Sequence, residues 1–197
     1  MRINAVIGAL AKPGGGKGTF KKLLNDVCRE DGYFPSITTY RFSDPLRKTL
    51  QWYDILETRE NLQSLSTCLR ICKPEALAYA LRKMIEEDRF SDIKLADGVR
   101  SLSDERVVRS FRSGILVYIK VDPEIRLERV RLRKENPGDA EKTVEQFLAE
   151  DTAEPERYTE DIGTRANCII DNNGTLDAYK QQVSLFYQQF LKPLRTE

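Results

Sequence analysis

The sequence predicts an α/β fold in which a parallel sheet of about five strands is flanked by helices. The first observation is local: an apolar run at residues 3–10 is followed by a glycine-rich turn and then by a segment whose apolar positions have helical spacing. The second is the order of the elements, because short apolar runs then alternate with helical patterns along the chain. Such alternation is typical of βαβ units and therefore of parallel strands.

The composition limits the size and the partners of this fold. A chain of 197 residues with 40% apolar content can bury one core, and we expect a single domain over residues 1–197. The 32 basic and 31 acidic residues nearly balance, which disfavours non-specific binding to nucleic acid or to membranes. Neither a signal peptide nor a long apolar span is visible, so we expect a cytoplasmic protein, with monomer and homodimer both open.

The chain contains four cysteines and no histidine. The cysteines do not have paired zinc-ligand spacing, and we expect them to be reduced, small apolar residues. Hydrolase chemistry based on a Ser-His or Cys-His pair is disfavoured, because histidine is the usual general base.

In the amino-terminal half, residues 3–10 are expected to form a buried strand, and residues 17–28 a helix with one apolar side. A second strand is expected at 36–42, where β-branched residues cluster. Ser43-Asp44-Pro45 supplies a cap and a proline at the first helical position, so a helix begins there. The chain then stays helical, and an excursion at about 43–90 is typical of a substrate-binding lobe.

The carboxyl-terminal half continues the βαβ order, with strands at 93–96 and 115–121 on either side of a helix. An arginine-rich helix is expected at 122–134. The charged stretch at about 134–163 suits either a solvated pair of helices or a moving lid. A last strand at 167–171 precedes a closing helix with apolar residues on one side.

The turn after the first strand predicts a phosphate-binding loop. Successive glycines let backbone N–H groups converge on one anion, Lys17 adds a mobile positive charge, and Thr19 offers a hydroxyl to Mg²⁺. An ordinary loose loop with a solvated lysine and a helix cap is the alternative. The stretch reads Ala11-Lys12-Pro13-Gly14-Gly15-Gly16-Lys17-Gly18-Thr19, with Gly14, Gly15, Gly16, Lys17, Gly18 and Thr19 as the candidate nucleotide-binding residues.

This stretch resembles the G-x-P-G-x-G-K-G-T loop of adenylate kinases and other nucleoside monophosphate kinases, with Ala11 as the only departure. The resemblance implies a P-loop kinase fold with a helical acceptor lobe and a lid. It also implies that ATP, bound with Mg²⁺, is the donor of the phosphoryl group. The methyl group of Ala11 is compatible with a β or αR backbone at the entrance of the loop, but not with a positive φ.

Two further segments resemble parts of the same family. Asp97 follows an apolar strand, at the sheet edge where open α/β sheets bind ligands, which suits a contact to Mg²⁺. Residues 95–100 resemble the L-D-G-F-P-R segment of adenylate kinases, with one residue fewer between the aspartate and the arginine. The resemblance implies that Arg100 binds the acceptor's phosphate. Asp44-Pro45-Leu46-Arg47 resembles the family's D-M-L-R segment and implies the same role for Arg47. A turn aspartate and solvated arginines are the alternatives.

Several other basic residues are candidates for nucleotide contacts. Arg59 and Gln63 are four residues apart on one helical face and would suit a base or a sugar, although they also suit a normal helix opening. Arg126, Arg129 and Arg133 share another face. The spacing of Arg129 and Arg133 resembles that of adenylate and dephospho-CoA kinases, and it implies contacts to ATP. A salt-bridged surface helix is the alternative.

Residues 166–175 resemble the A-D-x-x-I-x-N-x-G-T/S element of dephospho-CoA kinases and related archaeal P-loop proteins. The resemblance implies that Asn173 and Gly174 contact adenine through backbone groups, whereas a plain strand-to-helix turn would explain the same residues. Arg157 and Arg165 would reach in from the lid, but nothing local distinguishes them from solvated charges.

Phage deoxynucleoside monophosphate kinases share an F-x-D-P-L-R-like segment, here 42–47, and a D-x-R motif followed by a glutamate, which 97–105 resembles with one additional residue before the arginine. Together the resemblances imply γ-phosphoryl transfer from Mg²⁺·ATP to a nucleoside or deoxynucleoside monophosphate, with Lys17, Asp97 and Arg133 as catalytic residues. Two alternatives stay open. One is transfer to a hydroxyl, as in dephospho-CoA kinases, and the other is a nucleotide-binding switch without enzymatic activity.

Overall fold

Five parallel strands form one sheet in the computed structural model, which describes residues 3–134, 138–151 and 158–195. The strands are β1 (Ala5–Leu10), β2 (Ile37–Arg41), β3 (Ile93–Asp97), β4 (Gly114–Lys120) and β5 (Cys168–Asp171). They are arranged in the order β2-β3-β1-β4-β5. The predicted α/β fold with a parallel sheet of five strands flanked by helices is confirmed.

β1 lies at the centre of the sheet, and all six of its residues are buried. It pairs in parallel with β3 on one side and with β4 on the other. The connection that leaves β1 leads toward the β2 edge of the sheet, whereas the connection that leaves β3 leads to β4 on the other side of β1. Open α/β sheets bind ligands at the carboxyl ends of strands where the connections diverge in this way. The glycine-rich loop begins at this point.

Helices connect the strands and cover both faces of the sheet. The predicted helical stretch at about 43–90 consists of three helices. None of the described helices is long and apolar enough to span a membrane. The last helix continues into a π-helical turn and a 3₁₀ turn. The helices are α1 (Lys17–Glu30), α2 (Asp44–Trp52), α3 (Arg59–Cys72), α4 (Ala76–Glu87), α5 (Leu102–Ser110), α6 (Pro123–Arg133), α7 (Val144–Asp151), α8 (Thr159–Thr164) and α9 (Leu176–Phe186).

The alternation of side chains along the strands divides the core into two layers. Ile7 of β1 faces α1 and α9, where the rings of Phe20 and Phe186 meet edge to face at 5.7 Å between centroids. Val6 and Leu10 face the opposite side, where α4, α5 and α8 cover the sheet. Both faces of β1 are therefore covered by apolar side chains, and the loop that follows begins at a strand fixed in the core.

The junction of α5 and β4 generates a test of this packing. A Cβ atom added at Gly114 would lie 1.9 Å from the carbonyl oxygen of Val108. We expect Gly114→Ala to lower the free energy of unfolding by about 3 kcal/mol or more, because backbone must move to remove the clash. Urea unfolding followed by circular dichroism measures the change.

The matched control is Gly18→Ala, because an added Cβ at Gly18 has no heavy atom within 4 Å. Gly18 lies in the first turn of α1, so this change should stabilise the helix by about 0.5–1 kcal/mol. Similar losses of stability in the two variants would contradict the packing described at Gly114.

Candidate phosphate-binding and acceptor site

The loop between β1 and α1 requires glycine at two positions. Gly14 and Gly16 have φ values of +79° and +94°, which L side chains rarely adopt. A Cβ at Gly14 would lie 2.6 Å from the carbonyl oxygen of Arg126, and one at Gly16 would lie 2.5 Å from Nδ2 of Asn172. Both the backbone conformation and the available space therefore exclude larger residues.

Two side chains from the end of the chain hold the carbonyls of this loop. Nδ2 of Asn172 donates to the carbonyl oxygen of Gly15 at 3.0 Å, and the hydroxyl of Tyr179 donates to that of Gly16 at 3.2 Å. Burial raises the pKa of Tyr179, so its hydroxyl remains a donor at neutral pH. Because C=O and N–H point in opposite directions across a trans peptide, the N–H groups of Gly16 and Lys17 face away from these donors.

Lys17 brings a charge to the same region. Its Nζ donates to the carbonyl oxygen of Ala11 at 3.0 Å and lies 3.9 Å from Oδ1 of Asp97. Backbone N–H groups, the amino terminus of α1 and an ammonium group therefore lie together at the carboxyl end of β1. This arrangement fits a phosphate group.

Ala11, the departure from the kinase loop pattern, is sterically compatible with the loop. The non-glycine residues with positive φ in the described ranges are Asp54 and Lys134, so the backbone of Ala11 is not strained. Its buried methyl group lies 2.7 Å from the position of a Cβ added at Gly15. Alanine at position 11 and glycine at position 15 therefore fit each other.

A cavity of about 420 Å³ lies beside the loop, at the carboxyl ends of β2 and β3. Arg41 and Asp97 are register partners on these two neighbouring strands. Four of the lining residues are predicted site residues, namely Lys17, Gly18, Asp44 and Asp97. The others are Lys21, Thr39, Arg41 and Leu95.

Three polar residues that line the cavity were not among the candidate site residues predicted from the sequence. Nζ of Lys21 donates to Oγ1 of Thr39 at 2.8 Å, and Nε of Arg41 lies 3.9 Å from Oδ2 of Asp97. Asp44, in contrast, accepts a hydrogen bond at 2.7 Å from the backbone N–H of Arg41. Two signals were present: Lys21 follows Lys17 by four residues on one helical face, and Thr39 and Arg41 alternate along one strand.

One carboxylate oxygen of Asp97 is compatible with a bound metal ion. Its Oδ1 is buried and has no hydrogen-bond partner among the described residues, an arrangement that proteins normally avoid. The described residues contain no cluster of three or more His, Cys, Asp or Glu suited to a metal ion. Mg²⁺ usually takes only one or two protein oxygens together with phosphates, so Asp97 and the hydroxyl of Thr19 fit it.

The predicted acceptor-binding residues of the helical stretch lie elsewhere. Arg47 forms an ion pair with Glu57, and Arg59 and Gln63 are exposed on α3. Arg100 is exposed, and its backbone N–H donates to Oδ2 of Asp104 at the start of α5. The described residues that line the cavity do not include Arg47, Arg59, Gln63 or Arg100.

The three arginines of α6 differ in burial. Arg126 is only 3% exposed, its Nε donates to the carbonyl oxygen of Val121 at 3.1 Å, and its guanidinium lies 5.1 Å from the centre of the Phe147 ring. Arg129 is half-buried and donates from Nη2 to the carbonyl oxygen of Asn172 at 3.0 Å. Arg133, at the end of α6, is exposed.

The predicted adenine-binding turn, which contains Asn173 and Gly174, contacts the residue that precedes α6. Oδ1 of Asn173 accepts from the backbone N–H of Asp122 at 2.8 Å, and Gly174 is exposed. Its neighbour Asn172, which connects Arg129 to Gly15, was not selected from the sequence. No local signal identified Asn172, because both of its partners are distant in the chain.

In the predicted lid, α8 is fixed at both ends by charged contacts. Oε1 of Glu160 lies 2.7 Å from Nζ of Lys12 in the phosphate loop. At the other end, Nη2 of Arg165 donates to Glu105 of α5 at 2.9 Å, so Arg165 lies away from the cavity. Arg157 lies outside the described residues.

The contact between Arg165 and Glu105 predicts how the stability of the protein depends on pH. Burial raises the pKa of Glu105, but hydrogen bonds from Arg165 and Arg109 outweigh it and hold the pKa below the usual glutamate range. We expect Glu105→Gln to lose about 1–3 kcal/mol of stability at pH 7. The stabilisation from a lowered pKa is complete above the unfolded pKa and is lost as the pH falls through the folded pKa, so the difference from wild type should shrink as the pH falls below about 4.5.

Urea unfolding of both proteins between about pH 3 and 7 tests this expectation. Arg82→Ala, which removes an exposed i,i+4 pair with Glu86, is the control and should change stability by about 0.5 kcal/mol or less. A difference between Glu105→Gln and wild type that stays constant with pH would contradict the assignment.

The sequence is similar to proteins that carry the name UPF0200 protein. It is 33% identical to the one from Hyperthermus butylicus over 166 residues, which covers 84% of this chain and 86% of that protein. It is 28% identical to the one from Staphylothermus marinus over 171 residues, or 85% and 84% of the two chains. No family model matches the chain.

Among solved structures, the fold is similar to shikimate kinase from Acinetobacter baumannii in complex with shikimate. The TM-score is 0.58, the sequence identity is 14%, and the match covers 94% of this chain and 92% of that one. The fold is therefore that of the P-loop kinases. At this identity the similarity concerns the fold alone.

Proposed function

The chain belongs to the UPF0200 protein family, and from its phosphate loop and the cationic cavity beside it we propose that it is an ATP-dependent kinase. The γ-phosphoryl group passes to a nucleoside or deoxynucleoside monophosphate. The observation that carries this proposal is the position of Lys21 and Arg41, which line one cavity together with Lys17 and Asp97. A second set of cations beside a phosphate loop suits an acceptor that is itself an anion.

On the donor side, the backbone N–H groups after Gly15 and the ammonium of Lys17 would hold the phosphates of ATP. Bound Mg²⁺ would supply neutralisation of the phosphate charge, with Thr19 and Asp97 as the protein oxygens that suit it. Arg129 is positioned by Asn172, and in this proposal it contacts the nucleotide.

On the acceptor side, the guanidinium of Arg41 offers a planar pair of donors that matches a phosphate, and Lys21 adds a point charge. The attacking oxygen of a monophosphate is already anionic, so the transfer needs no general base in a chain without histidine. This oxygen forms a bond to the γ-phosphorus while the bond from that phosphorus to the β–γ bridging oxygen breaks, and ADP leaves with the electron pair.

Two of the remaining predicted residues enter this proposal through movement. Arg47 and Arg133 would reach the reacting groups only when the helical stretch or the predicted lid closes, as is common in kinases, whereas Arg100 lies on the loop between β3 and α5, outside both segments. Arg41 and Lys21 need no such movement, because they already line the cavity. They are therefore the first acceptor residues to test.

An acceptor panel with radiolabelled ATP tests the reaction. We expect label to pass to nucleoside or deoxynucleoside monophosphates, and Lys17→Ala to slow this transfer by about 100-fold or more, because a cation at the transferring group is lost. Lys83→Ala, an exposed lysine on α4, is the control and should transfer label at the wild-type rate.

Each alternative has its own outcome in this panel. Label on dephospho-CoA alone would favour a hydroxyl acceptor, with Asp44 or Asp97 as its base. Tight ATP binding without label on any acceptor would favour a nucleotide-binding switch. Transfer that is unchanged in Lys17→Ala would overturn the proposed mechanism.

Arg41 has a separate prediction. Arg41→Ala should raise the KM for the acceptor by about tenfold or more and leave the KM for ATP within about twofold, because the guanidinium would pair with the acceptor phosphate only. Arg41→Lys should recover part of the loss, since the charge remains but the planar fork is absent. Steady-state kinetics with each substrate varied in turn measures both constants.

The control is Arg106→Ala on α5, which removes an exposed arginine whose Nε donates to the carbonyl oxygen of Leu102 one turn earlier. Its kinetic constants should match those of the wild type. A rise in the KM for ATP equal to that for the acceptor would place Arg41 on the donor side instead.

A further inference from the structure

A second cavity of about 370 Å³ adjoins the first. Gly18 and Lys21 line both cavities, so the two cavities are adjacent. The second cavity is otherwise lined by Lys22, Asn25 and Ile37. Together the cavities form one groove, the α1–β2 groove, which starts at the phosphate loop.

The walls of the groove are a helix and an edge strand. Ile37, Thr39 and Arg41 alternate along β2 and therefore face the same side. The opposite wall is the first half of α1, from Lys17 to Asn25, which is about 12 Å long at 1.5 Å per residue. Lys21 crosses between the walls through its hydrogen bond to Thr39, so an acceptor that reaches both cavities would pass beside this side chain. The second cavity provides the room beyond a single phosphate group at the loop end.

The second cavity is cationic. Its described lining contains two ammonium groups and one amide, and no carboxylate. Lys21 has Thr39 as its partner, whereas exposed Lys22 has no hydrogen bond or ion pair in the part of the chain that the structure describes. An uncompensated cation at the rim of a cavity attracts an anion.

The helix sets the distance from the phosphate-loop end of the groove to Lys22. Lys22 follows Gly18 by four residues, which is about 6 Å along the axis of α1. Lys22 and Asn25 are three residues apart, so they are neighbours on the helix surface. A ribose spans a comparable distance, and the second anion would lie on the sugar of an acceptor whose 5′-phosphate occupies the first cavity.

We propose that the second cavity binds a second phosphate of the acceptor, so that the favoured acceptor is a nucleoside 3′,5′-bisphosphate. Lys22 and Asn25 determine this specificity, the first by its charge and the second by its amide N–H groups. The inference rests on the proposed function, because it takes the first cavity as the place of the reacting phosphate.

Binding calorimetry with deoxynucleoside 3′,5′-bisphosphates and the matching 5′-monophosphates tests the second cavity without any reaction. We expect the wild type to bind the bisphosphate about tenfold more tightly than the monophosphate of the same base. Lys22→Ala should reduce this ratio to about two or less and leave monophosphate affinity unchanged. Asn25→Asp, which adds a carboxylate at nearly constant size, should do the same, and raised salt should lower the wild-type ratio.

Lys83→Ala on α4 is the matched control, since it removes an exposed lysine away from the groove. Its ratio should equal that of the wild type. Equal affinities for the two acceptors in the wild type would overturn the inference. So would a loss in Lys22→Ala that affects both acceptors equally, or an equal loss in Lys83→Ala, because either would reflect the general field of the protein.

Kinetics separates failure of this inference from failure of the proposed function. If the inference alone is wrong, monophosphates receive label and the bisphosphate has no advantage in kcat/KM. If the proposed function is wrong and the cavity assignment is right, neither acceptor receives label, while the bisphosphate preference and its loss in Lys22→Ala persist in calorimetry.

Discussion

The site depends above all on how two backbone carbonyls of the phosphate loop are held. Asn172 and Tyr179 donate to Gly15 and Gly16, across separations of 157 and 163 residues in the chain. These two hydrogen bonds therefore require that β5 and α9 pack beside the elements at the start of the chain. The shape of the loop depends on these long-range contacts as well as on glycine, which supplies the freedom to adopt it.

Asp97 lies between Lys17 of the phosphate loop and Arg41 of β2. Its two carboxylate oxygens lie 3.9 Å from Lys17 on one side and 3.9 Å from Arg41 on the other. The cavity is lined by three cations, Lys17, Lys21 and Arg41, and by two carboxylates, Asp44 and Asp97, so one positive charge remains in excess. A local field that attracts anions therefore exists in a chain whose formal net charge is only +1.

Local sequence was sufficient for the sheet and for the phosphate loop. Short apolar runs and helical periodicity act within each element, so all five strands could be placed within one or two residues. The cavity was harder, because Arg41 meets Asp97 only through the register of β2 against β3. Arg47 shows the same limit: its partner is Glu57, beyond the end of α2, and nothing in the kinase-like segment around Arg47 indicates that pair.

The contacts of the phosphate loop also constrain how the predicted lid can move. Lys12 of the loop pairs with Glu160 at the start of α8, while Arg165 just after α8 pairs with Glu105. Displacement of α8 would therefore break one ion pair at the loop and one at α5. α7 is held differently, by packing of Phe147 on apolar residues of α6. Displacement of either helix would also expose apolar surface, because Ile162 of α8 is fully buried in the core over the sheet.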